Sequence, residues 1–211
     1  MPRVAVLAGG QLGIDLPKNM DIYVGVDAGA LAILQEDLPL DYAVGDFDSV
    51  SGQEWQRIKE EAQVLVTAQP EKDDTDMELA LLTIFERFPE AEVSVYGAFG
   101  GRLDHTLANI FLPSNDKLAP FMQQLTLLDE QNIVTYLPAG RHQVSPQKGM
   151  AYVAFLPVQD QFLSITGAKY PLDEKNYFFK KVYASNEFID EPLFVKFHEG
   201  YLVIIYSKDR S

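Results

Sequence analysis

Ile22-Tyr23-Val24-Gly25-Val26-Asp27-Ala28-Gly29-Ala30-Leu31-Ala32-Ile33-Leu34-Gln35 is a short apolar run, then an aspartate, then a helix-like segment. The run reads as a buried strand, and Ala28–Gln35 as the helix that follows it. The same alternation extends to either side. Val4–Ala8, Tyr42–Val44, Val64–Thr67 and Val93–Tyr96 read as further short buried strands. Trp55–Ala62 reads as a helix behind Ser51-Gly52-Gln53-Glu54, which has capping-box spacing. Met77–Phe88 carries the strongest helical period: Met77, Leu81, Ile84 and Phe88, with Ala80 and Phe85, recur at three- and four-residue steps. Thr75 with Glu78 offers a second capping box there, and Pro89 stops the helix. Asp104–Leu112 reads as one more helix. Strands alternating with helices predict a three-layer α/β domain around a mostly parallel sheet.

Beyond about Gln124 the pattern changes. Leu125–Leu128, Ile133–Leu137, Tyr152–Leu156, Phe162–Thr166, Tyr177–Tyr183, Leu193–Phe197 and Tyr201–Tyr206 are rich in β-branched and aromatic residues. Turn signals separate them at Pro138-Ala139-Gly140, Pro146 through Gly149 and Glu199-Gly200. No long helical period appears. This half is expected to be an antiparallel β-sandwich, which divides the chain into 1–122 and 123–211.

With 211 residues, 47% of them hydrophobic, the chain has enough apolar material for one large core or two small ones. Cysteine is absent, which removes disulfides and thiolate metal sites and fits a reducing cytoplasm. The opening apolar run is too short for a signal peptide, and no stretch approaches the ~18 apolar residues of a membrane span. A formal charge of −14 argues against nucleic acid as a partner, because an acidic surface repels phosphate backbones. A small polyphosphate is different, since a divalent cation neutralises it locally.

The aspartates are not scattered. Asp27 follows the second expected strand; Asp46 and Asp48, in Gly45-Asp46-Phe47-Asp48-Ser49, follow the third. Asp73, Asp74 and Asp76, in Lys72-Asp73-Asp74-Thr75-Asp76, follow the fourth, and Asp104, in Gly100-Gly101-Arg102-Leu103-Asp104-His105, follows the fifth. In an open parallel sheet the carboxyl ends of the strands share one edge, where ligands bind. So many carboxylates in one place are costly unless a cation sits among them. Oxygen-only ligands favour a hard ion, Mg²⁺ before Zn²⁺. Glycines 97, 100 and 101 allow close approach of a phosphate, and Arg102 offers it paired donors. Each motif also has a plain structural reading. Asp46 and Asp48 suit a turn, Asp76 suits a helix N-terminus, Gly100-Gly101 a loop, His105 a helix surface, and Asp74 a solvated position. Their coincidence at four loop ends is what those readings do not explain.

These blocks, in this order and spacing, resemble the thiamine pyrophosphokinase (thiamine diphosphokinase) family. They are Val26-Asp27-Ala28-Gly29-Ala30, Gly45–Ser49, Lys72–Asp76, and Gly100–His105 with Asn109 a turn later. In the second half, Ser164-Ile165-Thr166-Gly167-Ala168-Lys169-Tyr170-Pro171-Leu172 is similar to the family's thiamine-binding segment, and Ser185-Asn186-Glu187 to the step that follows it. Tyr170 stands where the eukaryotic form has tryptophan. The resemblance implies an N-terminal α/β domain, a C-terminal β-sandwich, and a homodimer with active sites at the subunit interface. It implies transfer of pyrophosphate from ATP to the hydroxyl of thiamine. By resemblance, Asp46, Asp48, Asp76 and Asp104 hold Mg²⁺ and, with Arg102, carry catalysis. Asp27, Ser49, Lys72, Asp73, Thr75, Arg102, His105 and Asn109 contact ATP. Ser164, Tyr170, Ser185 and Asn186 bind thiamine.

Three other readings compete. Asp46-Phe47-Asp48 after a strand has the Asp-x-Asp form of a haloacid dehalogenase phosphatase, although the loops at Lys72–Asp76 and Gly100–His105 fit that enzyme poorly. A related pyrophosphokinase acting on a pterin alcohol would share the N-terminal motifs. A silent binding module would have no need of the full aspartate set.

Overall fold

The computed structural model describes residues 1–10, 13–67, 74–159, 162–189 and 192–209. The chain divides into two compact units, Met1–Glu130 and Gln131–Ser211.

In the first unit, β1 (Arg3–Leu7), β2 (Ile22–Val26), β3 (Tyr42–Gly45), β4 (Val64–Thr67), β5 (Glu92–Tyr96) and β6 (Leu125–Leu128) form one parallel sheet, ordered β6-β5-β1-β2-β3-β4. Val4, Ala5, Val6 and Leu7 are fully buried, as expected of a central strand covered on both faces. Helices α1 (Gly29–Gln35) and α2 (Gly52–Glu61) share a core with Ala5, Leu7, Tyr23 and Ala43 on one face. Helix α3 (Asp76–Arg87) packs its buried Met77, Ala80, Leu81, Ile84 and Phe85 against β2 and β3 from the other side, giving three layers. Both expected capping boxes form. Ser51 Oγ accepts from the Glu54 N–H and Thr75 Oγ1 from the Glu78 N–H, while each glutamate carboxylate returns to the cap's own N–H.

Leu125–Leu128, expected to begin the antiparallel half, pairs in parallel with β5 instead. A parallel neighbour requires a long crossover. Here that path is the expected helix, α4 (Leu103–Ile110), and the 3-10 turns Leu112–Ser114 and Ala119–Gln124, which are too short to show a helical period.

The second unit is antiparallel. Its strands are β7 (Asn132–Val144), β8 (Tyr152–Pro157), β9 (Ser164–Thr166), β10 (Tyr183–Asn186) and β11 (Leu193–Ser207), ordered β10-β8-β11-β7 with β9 also on β11. Two expected turns lie inside strands. Pro138-Ala139-Gly140 sits within β7, and Glu199-Gly200 within β11. Phe197 pairs with Gly140 and Tyr201 with Pro138, so His198, Glu199 and Gly200 bulge opposite Ala139. Past the bulge the core-facing residues of β11 change from Leu193, Val195 and Phe197 to Leu202, Ile204 and Tyr206, all in one cluster. The ribbon therefore bends and folds two layers over a single core, with the turn residues marking the bend. Tyr177–Tyr183, read as a strand, is a connection that follows the 3-10 turn Glu174–Asn176, and strand pairing starts only at Tyr183.

Candidate active site

The strand order decides which aspartates meet. β2, β3 and β4 are neighbours, so Asp27, Asp46 and Asp76, which follow them in the chain, emerge side by side at the carboxyl edge. Each places a carboxylate oxygen so that all three lie within 4.8 Å of one another. Among the described residues Asp48 and Asp104 stand outside this group. Asp104 follows β5, which β1 separates from β2, and two strand spacings are about 10 Å.

Asp27 is the most constrained of the three. It has φ +48°, and its N–H donates to Val44 O at 3.0 Å. Its Oδ1 accepts from the Phe47 N–H at 3.3 Å. Phe47 also has a positive φ, +57°, and is held there by its buried ring, stacked on Trp55 of α2 at 4.6 Å. Gly45, at φ +147°, lies beneath the carboxylate, and a Cβ there would come within 1.8 Å of Asp27 Oδ1. Burial, then the charge of Asp76, with smaller contributions from Asp46 and Asp48, push the Asp27 carboxyl up to about 6, against the pull of the Phe47 N–H. Asp46 is exposed and accepts from the Asp48 N–H at 3.1 Å. Asp48 and Ser49 are exposed on the same turn.

The other expected residues take distinct places. Lys72 and Asp73 lie outside the described residues. Thr75 caps α3, which leaves its hydroxyl hydrogen to donate elsewhere. Arg102 forms a two-point pair with Asp104, Nε to Oδ1 at 3.2 Å and Nη2 to Oδ2 at 2.6 Å, both exposed. That hydrogen bonding holds the Asp104 carboxyl below its ordinary range and raises Arg102 further. His105 is exposed, and its N–H donates to Asp104 Oδ1. Asn109 Nδ2 donates to Ala98 O at 2.9 Å, bracing the loop after β5. Among the described residues the end of β1, between Asp104 and Asp27, supplies Ala8-Gly9-Gly10, and a Cβ on Gly10 would meet Gly97 O at 2.2 Å. Backbone lines the edge there.

Three contributors were invisible in the sequence. Gly45 and Trp55 matter only through what stands against them in space. Asn115 is the third. Its Nδ2 donates to Asp74 Oδ1 at 3.2 Å and to Glu78 Oε1 at 3.0 Å, and Lys117 Nζ reaches Asp74 Oδ2 at 3.3 Å. Asp74, read as solvated, is thus tethered and helps fix the start of α3.

In the second unit two adjoining hollows of about 520 Å³ each share Ile165, Pro171, Leu172 and Asn176. Ser164 lines one; Tyr170 and Asn186 line the other. Ser185 is exposed, with φ +56°.

The model of the thiamin pyrophosphokinase catalytic domain matches residues 15–118, and that of the thiamin pyrophosphokinase vitamin B1 binding domain matches residues 141–202. The thiamine pyrophosphokinase of Bacillus subtilis is 33% identical over 217 residues, covering 99% of this chain and 100% of that protein. The chain belongs to the thiamin pyrophosphokinase family. A solved structure of a thiamin pyrophosphokinase family protein from Enterococcus faecalis superposes with a TM-score of 0.90 at 40% identity, over 99% of this chain and 100% of that one. The yeast thiamin pyrophosphokinase structure shares the fold, with a TM-score of 0.76 at 14% identity over 98% of this chain and 86% of that one. In family terms, the acidic group falls within or beside the catalytic match, and both hollows fall in the vitamin B1 binding match.

Proposed function

We propose that this chain transfers the pyrophosphoryl group of ATP to the hydroxyl of thiamine, giving thiamine diphosphate and AMP. The observation that carries the reading is the meeting of Asp27, Asp46 and Asp76 from three adjacent strand ends. An all-oxygen, triply acidic set with one carboxyl raised by burial and by its acidic neighbours suits Mg²⁺, which, when bound, supplies positive charge against phosphate oxygens. Asp27, Asp46 and Asp76 are its holders in this reading. Asp48, two residues from Asp46 on the same turn, is placed to act through water, while Asp104 stands farther off beyond β1.

In-line transfer needs an acceptor oxygen and a β-phosphorus held in contact, so positioning and charge do most of the work. The thiamine hydroxyl attacks the β-phosphorus and AMP departs on the opposite side. In this reading Arg102, held in its charged form by the pair with Asp104, offers its remaining donors to the phosphates. The glycine-lined edge between Asp27 and Asp104 leaves room for the polyphosphate backbone. Ser49, Thr75, His105 and Asn109, with Lys72 and Asp73, complete the ATP contacts that the family resemblance implies. Ser164, Tyr170, Ser185 and Asn186 complete those to thiamine, and Tyr170 offers a ring face to a flat cation. The same resemblance implies a homodimer with active sites at the subunit interface, and the cysteine-free composition fits the cytoplasm as its compartment.

The test is direct. Protein mixed with Mg²⁺, ATP and thiamine is expected to yield thiamine diphosphate and AMP in equal amounts, with neither product when thiamine is left out. Release of ADP or inorganic phosphate, or turnover indifferent to thiamine, contradicts the reading.

A further inference from the structure

Strand β10 slips by one residue against β8. Tyr183 faces Phe155 and Asn186 faces Val153, so one extra residue bulges from β10. Ser185, at φ +56°, carries the strain of that bulge. Bulges re-aim neighbouring side chains. Here the result is that Asn186 is only 3% exposed. Its Oδ1 accepts from the Tyr170 N–H at 2.9 Å and its Nδ2 donates to Tyr170 O at 2.8 Å. The same Oδ1 also takes the Glu187 N–H at 3.0 Å. At the other end of β10 the Tyr183 hydroxyl repeats the arrangement. It accepts from the Phe178 N–H at 2.7 Å and donates to Phe178 O at 3.1 Å.

One short strand therefore grips two separate backbone units, 16 and 5 residues from the side chains that hold them, each by both its N–H and its C=O. The gripped residues are aromatic, line the same hollow of about 520 Å³, and expose their rings, Tyr170 by 57% and Phe178 by 66%. An exposed ring on a mobile connection loses freedom when a ligand lands on it, and holding its backbone beforehand removes part of that cost. A grip needed for stability alone has no reason to select Tyr170 and Phe178, which with Tyr183 itself are the aromatic residues that line this hollow.

We propose that Asn186 and Tyr183 are positioning residues that hold the Tyr170 and Phe178 rings ready for a flat cationic substrate; this rests on the thiamine reading above. In this proposal Asn186, which lines the same hollow, serves the thiamine site through the Tyr170 backbone that it holds. Thiamine affinity is measured by isothermal titration calorimetry for the wild type and for Tyr183→Phe, Phe178→Ala, Asn186→Ala, Tyr170→Ala and the doubles Tyr183→Phe/Phe178→Ala and Asn186→Ala/Tyr170→Ala. Each pin variant is expected to weaken thiamine binding about three- to tenfold, the effect of one net hydrogen bond, with the ATP KM unchanged. Each loss is expected to vanish in the background that lacks the corresponding ring. Losses that add in the doubles, or a lowered Tm with unchanged thiamine affinity, overturn the proposal. Tyr183→Phe keeps its ring and packing, so it decides the matter if Asn186→Ala fails to fold. A wild type that binds no thiamine sinks the functional reading itself, and the proposal with it.

Discussion

A methyl group at position 45 would lie within 1.8 Å of Asp27 Oδ1, at a φ of +147° that side chains rarely adopt. Gly45→Ala is therefore expected to lower stability by about 1–3 kcal/mol in thermal unfolding. Part of that loss should return in Gly45→Ala/Asp27→Ala, where the clash is gone; equal losses in both backgrounds would mean that Asp27 does not occupy this space. The raised Asp27 carboxyl makes a second prediction. Its pKa is about 6 in the cation-free fold and 3.8 without the fold's influence. The stability it contributes is present below pH ~4 and is lost as pH rises through about 6, because the unfolded chain gives up the proton first. Cation-free wild type, compared with Asp27→Asn, should lose relative Tm over that window, and a flat difference would contradict the assigned environment. The sequence showed that Asp27, Asp46 and Asp76 end successive strands. It did not show that Gly45 makes the room and Phe47, through Trp55, holds the turn, since those roles exist only across a packed interface.

At the scale of elements, capping boxes were legible because they are local: Ser51 with Glu54 and Thr75 with Glu78 lie three residues apart and close as expected. Thr75→Ala should cost about 1 kcal/mol by chemical denaturation and loosen the start of the helix that carries Asp76. Asn115→Ala should weaken that start too, by leaving Asp74 with Lys117 alone and Glu78 with one partner fewer, with a larger loss than at an exposed asparagine elsewhere. No local pattern announces a residue 41 positions from its partner. The β half misled for a related reason. Pro138-Ala139-Gly140 and Glu199-Gly200 signal a change of backbone direction, which a hairpin and a bent ribbon both require. Only the pairing of Phe197 with Gly140 and Tyr201 with Pro138 separates the two.

For the whole molecule, what mattered was strand order rather than chain order. The four strand ends that carry aspartates are equivalent in sequence, yet β1 lies between β5 and β2 and keeps Asp104 from the other aspartates. Alternation of strands and helices predicts a parallel sheet but leaves its permutation open. The central claim is that three carboxylates from adjacent strand ends hold one divalent cation beneath a polyphosphate. Its most direct test is titration of Mg²⁺, in the presence of a non-hydrolysable ATP analogue, into wild type and the Asp→Asn variants at 27, 46, 76, 48 and 104, each checked for an intact fold. Affinity is expected to fall about tenfold or more for Asp27→Asn, Asp46→Asn and Asp76→Asn, and distinctly less for Asp48→Asn and Asp104→Asn. Undiminished binding in the triple variant at 27, 46 and 76 would contradict the account.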